Sequence, residues 1–169
     1  MRRCVRLVNP GRIAIGLRRR SRSAGLRAAG TAGDAKMKML TGQCRCRAVS
    51  YEVADAFAYA LYCHCSNCRR ATGSAFKPLA GIHIEDIRIS DGADQIMTVG
   101  DPLQPYVHCA KCGSLLYAVV RDGAYAHVTM GTLVDTPSIR PTHHIFVGSK
   151  APWYEITDTL PQYDGFADG

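Results

Sequence analysis

The sequence predicts a mainly β domain of short strands, and three observations carry that prediction. Brief apolar runs alternate with turn residues from residue 47 onward, and no stretch holds helical periodicity for three turns. Seven cysteines also stand in close pairs and a triplet, the spacing that clips small β structures around a metal ion.

Residues 47–53 alternate polar and apolar side chains, as a strand with one buried face does. Further strand-like runs lie at 58–63, 75–84, 87–90, 95–99, 106–109, 114–120, 124–130 and 144–147. Asp91-Gly92, Gly100-Asp101-Pro102 and Asp122-Gly123 punctuate them as tight turns. One short helix is expected at 66–72, with Ser66 as its N-cap and Gly73 as its stop.

The chain has 169 residues, 47% of them hydrophobic and 21% charged, which suits one globular domain. Charged residues, Gly or Pro interrupt every apolar stretch before the roughly 18–20 residues that a membrane-spanning helix needs, so no membrane role is expected. The formal charge of +7 divides unevenly. Residues 1–36 hold nine Arg and one Lys against Asp34, giving 10 − 1 = +9, and residues 37–169 hold 11 − 13 = −2. The predicted domain at 37–169 is thus mildly acidic, and nucleic acid is not its expected partner.

Residues 1–36 are rich in Arg, Gly, Ala and Ser and poor in large apolar side chains, so they are expected to be a disordered extension. Three readings stand for it: a targeting segment, a basic arm, or a start placed upstream of the true one at Met37 or Met39. Cys4 belongs to this extension and is set apart from the chemistry.

The remaining cysteines read Cys44-x-Cys46, Cys63-x-Cys65-x-x-Cys68 and Cys109-x-x-Cys112-Gly113. In the last, a tight turn brings two sulfurs to one ion, and the glycine takes a backbone conformation other residues resist. Disulfides are the alternative, but the number is odd and cysteines two apart reach bridge geometry only with strain. Seven thiolates divide as four plus three. Cys44, Cys46, Cys109 and Cys112 make a closed tetrahedral set, structural in kind, without whose metal the domain is expected to unfold. Cys63, Cys65 and Cys68 leave a fourth position open to substrate, unless a histidine such as His64 or His108 closes it. If its segment is extended, His64 points away from the face its neighbours share.

These residues resemble the family of glutathione-dependent formaldehyde-activating enzymes, which includes centromere protein V. The likeness runs over residues 40–163, through Leu40-Thr41-Gly42-Gln43-Cys44-Arg45-Cys46 and Cys63-His64-Cys65-Ser66-Asn67-Cys68-Arg69-Arg70, then Cys109-x-x-Cys112-Gly113-Ser114. It closes with His144-Ile145-Phe146, Lys150-Ala151-Pro152-Trp153 and Leu160-Pro161-x-Tyr163. The resemblance implies an Mss4-like zinc-binding fold with ribbon-type knuckles and two zinc ions per chain. It implies a structural zinc on Cys44, Cys46, Cys109 and Cys112, a catalytic zinc on Cys63, Cys65 and Cys68, and cytoplasmic carbon-sulfur lyase activity joining glutathione to formaldehyde.

The chemistry expected at the open position is deprotonation of a substrate thiol, which then attacks an aldehyde. A free thiol is only a few per cent thiolate at neutral pH, so complete ionisation gains roughly thirty-fold. Three thiolates leave the zinc complex at −1, a weak Lewis acid, so holding thiol and aldehyde together must contribute more. A thiol-binding carrier without turnover and a zinc-stabilised interaction module are the alternatives. Arg69, Arg70 and Lys77 lie near the triplet, either to meet carboxylates of glutathione or, as such charges more often do, to sit solvated at the surface. Trp153, Tyr154 and Tyr163 read as core packing or pocket lining, and His143-His144 as a strand end. Oligomeric state is not legible in the sequence.

Overall fold

The computed structural model describes residues 37–167. The Arg-rich extension at 1–36, with Cys4, lies outside the described residues.

Among the described residues ten strands form two sheets. The smaller holds β1 (Met39–Gln43), β2 (Ser50–Ala54) and β5 (Ile87–Asp91) in the order β1-β2-β5. The larger adds β3 (Tyr59–Cys63), β4 (Lys77–His83), β6 (Ile96–Asp101), β7 (Gln104–Cys109), β8 (Leu115–Val120), β9 (Tyr125–Thr129) and β10 (His144–Ile145). Its order is β10-β3-β4-β9-β8-β7-β6, antiparallel except that β10 runs parallel to β3. Helix α1 (Ser66–Thr72) sits between β3 and β4 and ends at Gly73, as expected. Its N-cap is Cys65 rather than Ser66, because the Cys65 sulfur accepts the Cys68 N–H at 3.3 Å.

Two further differences from the sequence reading have local causes. Strand β1 escaped notice because its five residues hold a single large buried side chain, Leu40, and it forms by pairing with β2 from Met39↔Ala54 to Gln43↔Ser50. The strand expected from residue 47 starts instead at Ser50, since Arg47 takes a left-handed φ of 64° in the turn that follows Cys46.

The larger sheet is apolar on both faces, which places the rest. Against one face the smaller sheet packs Leu40, Tyr51 and Val53 on Ile82, Leu116 and Val128, all fully or almost fully buried. Each such aliphatic side chain contributes roughly 1.5–3 kcal/mol when removed from water. The opposite face carries a second cluster of Leu61, Cys63, Cys68, Leu79 and Ile145. The period of two along β3 makes this division: Tyr59, Leu61 and Cys63 face one way, Ala60 and Tyr62 the other. Residues past β10 return alongside it, with Tyr163 N–H donating to the His144 carbonyl at 3.0 Å and His144 N–H to the Pro161 carbonyl at 2.8 Å.

Candidate functional site

The seven cysteines of the described domain are free thiols sorted into two sets. Cys44, Cys46, Cys109 and Cys112 converge with all sulfurs within 4.8 Å of one another, and so do Cys63, Cys65 and Cys68. No histidine joins either set among the described residues.

The four-cysteine set is assembled from two turns 63 residues apart. Cys44 Sγ lies 3.6 Å from Cys46 Sγ, and Cys46 Sγ lies 3.8 Å from Cys109 Sγ. Four thiolates held tetrahedrally about one zinc at ~2.3 Å stand about 3.8 Å apart, so donor type and spacing fit that ion. Gly113 takes a φ of 75°, the left-handed conformation expected after the second pair. Hydrogen bonds from Ser114 draw the Cys112 thiol down to about 5, toward the thiolate a metal requires.

The three-cysteine set is local, built from the end of β3, the turn into α1 and the first turn of the helix. Hydrogen bonds from Cys63 and Cys68 draw the Cys65 thiol down to about 2, and the same bond pushes Cys63 up. Three converging sulfurs are a soft donor set of the kind that suits a divalent cation such as zinc. Arg69 Nε donates to the His64 carbonyl at 3.2 Å and pins the turn.

Lys77 departs from the solvated-surface reading. It is 1% exposed, because it lies in the central strand β4 directly opposite Cys63. Burial lowers its basicity and the three thiols oppose that effect. A buried ammonium needs a counter-charge, and the sulfurs supply it.

His64 turns away from the sulfurs, as its position between two ligands predicts. Its Nε2 lies 2.8 Å from His144 Nδ1, and His144 Nε2 lies 3.1 Å from both oxygens of Asp158. Since the carboxylate accepts from His144 Nε2–H, His144 Nδ1 accepts from His64 Nε2–H, and the buried His64 Nδ1 keeps a bare lone pair. Burial brings His64 down to about 4, so the ring is neutral. Phe76 and Tyr154 pack on it, with ring centroids 5.4 and 6.0 Å away. His144 is therefore an internal tie, and the Asp158 that completes it carried no signal in the sequence.

Beside the triplet, on the same face of the larger sheet, lies a cavity of about 590 Å³. Leu61 and Ile145 line it and also pack on Cys63 and Cys68. Tyr59 forms part of its floor, lying across Gly81, where a Cβ would come within 2.2 Å of the ring. Tyr59 Oη meets His127 Nε2 at 2.7 Å, and burial holds His127 down at about 4. Arg121 closes one end, its guanidinium 5.6 Å from the Tyr59 ring centroid and 4.8 Å from that of Tyr125. Sequence reading missed Arg121 and His127, although the period of β3 already set Tyr59 and Leu61 on the side of Cys63. Trp153 is neither core nor part of this cavity: it is 73% exposed, on a shallow depression with Lys150 and Gln162.

A mainly β domain with one set of four and one of three converging thiols is of the class of cysteine-rich proteins whose sulfurs could hold metal ions. Within that class, the model of the glutathione-dependent formaldehyde-activating enzyme family matches residues 39–149, about two thirds of the chain. The chain belongs to that family. No curated protein matches the sequence closely enough to count as a relative. The crystal structure of a Rhodobacter sphaeroides protein is similar at 25% identity, covering 59% of this chain and 92% of that one with a TM-score of 0.49.

Proposed function

We propose that the protein is a zinc-dependent carbon-sulfur lyase of the S-(hydroxymethyl)glutathione synthase type, joining a thiol such as glutathione to formaldehyde or a related aldehyde. In this reading residues 37–169 are the working domain, Cys44, Cys46, Cys109 and Cys112 hold a structural zinc, and Cys63, Cys65 and Cys68 hold the zinc that meets substrate. The observation that carries it is the sorting of the sulfurs into four and three, with the set of three beside a cavity.

A zinc ion held by Cys63, Cys65 and Cys68 would supply the means to keep a substrate thiol ionised at neutral pH. The chain's own residues supply the rest. Cys63, Cys65 and Cys68 fix where the substrate sulfur sits, and the His64–His144–Asp158 chain holds the segment carrying two of them. Lys77 compensates the excess negative charge of three thiolates. The apolar walls at Leu61 and Ile145 limit water around the reacting pair. The net reaction forms one carbon–sulfur bond, and the thiol's proton ends on the former carbonyl oxygen. Among the described residues seven cysteines stand as free thiols, which suits a reducing compartment and a cytoplasmic enzyme. Among the described residues no helix is long and apolar enough to cross a membrane.

The test is formaldehyde consumption with glutathione by the full-length, zinc-loaded chain, with the spontaneous rate subtracted. Saturable acceleration that Cys65→Ser abolishes is expected. No acceleration at full zinc occupancy would remove formaldehyde activation and leave thiol binding.

A further inference from the structure

Arg121 is a cation without a carboxylate partner among the described residues. It stands in the β8–β9 turn, where Arg121, Asp122 and Gly123 take successive positive φ values of 53°, 52° and 90°. Two of these are not glycine, and such conformations persist where the surroundings hold them. The turn folds Arg121 back over the sheet, and the faces of Tyr59 and Tyr125 fix its guanidinium. Stacking by the face leaves the N–H edge of the group free, the edge that grips a carboxylate with two parallel hydrogen bonds. Gln104 and His143 add polar groups to the same cavity, while Leu61, Val120 and Ile145 make its walls apolar.

We propose that this cavity is the anchoring end of the thiol site, and that Arg121 binds a carboxylate of the substrate thiol at a fixed distance from the Cys63, Cys65 and Cys68 cluster. The inference rests on the reading that a substrate thiol engages that cluster, and it adds the residue that anchors the substrate's far end. Strand β3 sets the distance. Tyr59, under Arg121, and Cys63, in the cluster, are four residues apart on one face, about 13 Å at the rise of a strand. In a tripeptide thiol whose middle residue carries the sulfur, a terminal carboxylate stands roughly 7–10 Å from that sulfur at about 3.3–3.6 Å per residue, so it bridges more than half of that span. The guanidinium, 5.6 Å from the Tyr59 ring centroid, marks the far end of that span. A two-carbon thiol such as 2-mercaptoethanol reaches the cluster but not Arg121. The site therefore selects carboxylate-bearing peptide thiols over small neutral ones.

The test uses S-methylglutathione, which keeps both carboxylates but has no free thiol. Its binding to the full-length protein therefore reports the anchor and not the sulfur chemistry. Calorimetric titration is expected to show binding to the unaltered protein, at least tenfold weakened in Arg121→Met and partly recovered in Arg121→Lys. Circular dichroism and zinc content of the variants check that the fold is intact. Should Arg121→Met not fold, the diethyl ester of S-methylglutathione on the unaltered protein asks the same question, and at least a tenfold loss is expected. Equal affinity of acid and ester, unchanged affinity in Arg121→Met, or no binding at millimolar ligand would each overturn the proposal. A protein that binds S-methylglutathione through Arg121 but does not consume formaldehyde refutes the lyase reading alone. One that accelerates formaldehyde consumption equally with glutathione and 2-mercaptoethanol, before and after Arg121→Met, refutes the anchor alone.

Discussion

The four-cysteine and three-cysteine sets present the same donor atom in opposite settings. The first draws its sulfurs from turns 63 residues apart and ties the beginning of the domain to β7 and β8. The second lies within six residues, contributes little long-range closure, and is surrounded by what the first lacks: a buried lysine, a hydrogen-bonded histidine pair and a cavity. Separation along the chain thus distinguishes a sulfur set gathered by the tertiary fold from one gathered by its own sequence.

The largest effect should come from breaking the distant set. Cys109→Ser is expected to abolish cooperative folding, because a structural zinc is worth about 10–16 kcal/mol of apparent binding energy against a net domain stability of about 5–15 kcal/mol. A circular dichroism melt with zinc quantified before and after reads it directly; a retained sharp transition with one zinc lost would mean the fold does not depend on this set. Cys65→Ser should be milder for the fold and decisive for chemistry. One zinc of two is lost, turnover disappears, and the melting midpoint falls by only about 5 °C, the shift of a 1–2 kcal/mol change in a domain of this length.

Lys77→Met sharpens the contrast further. Removing the ammonium should weaken metal retention by roughly tenfold at the three-cysteine set alone, at the low end of couplings measured for close charge pairs. Competition with a chromogenic chelator, following the two zinc ions as separate phases, checks it; equal weakening of both phases would make the effect one of global stability. A fourth effect depends on pH. His127 titrates at about 4 in the folded protein, through burial, against about 6.5 unfolded. The unfolded chain therefore takes up a proton first, and stability present at pH 7 declines as pH falls from about 6.5 toward 4. At pH 5 this amounts to about 2 kcal/mol, and His127→Gln should shrink the gap in urea midpoint between pH 7 and pH 5 accordingly.

The cysteines were legible because chemistry fixes their spacing: x between Cys63 and Cys65, two residues between Cys109 and Cys112, and a glycine after them. The helix at Ser66–Thr72 was legible through Gly73, but its cap was not, since a sulfur in the capping position has no propensity signature. Lys77 was misread as surface because a lysine in a strand is ordinarily solvated, and only the register Cys63↔Lys77 shows its counter-charge. Arg121 and His127 lie on strands β8 and β9 or the turn between them, beyond reach of any spacing rule. They join Tyr59 only through the sheet order β3-β4-β9-β8. Asp158 reaches His144 from an irregular segment whose path no periodicity describes.

The separation of the two sulfur sets also orders them in time. During synthesis the last ligand of the local set, Cys68, precedes the last of the distant set, Cys112, by 112 − 68 = 44 residues. At roughly 5–20 residues per second, the ribosome takes about 2–9 s to cover that interval. For those seconds Cys44 and Cys46 have no partners for their sulfurs, while Cys63, Cys65 and Cys68 already stand together in sequence. A nascent chain short of metal would meet that shortage first at the three-cysteine set, and only afterwards at the four-cysteine set.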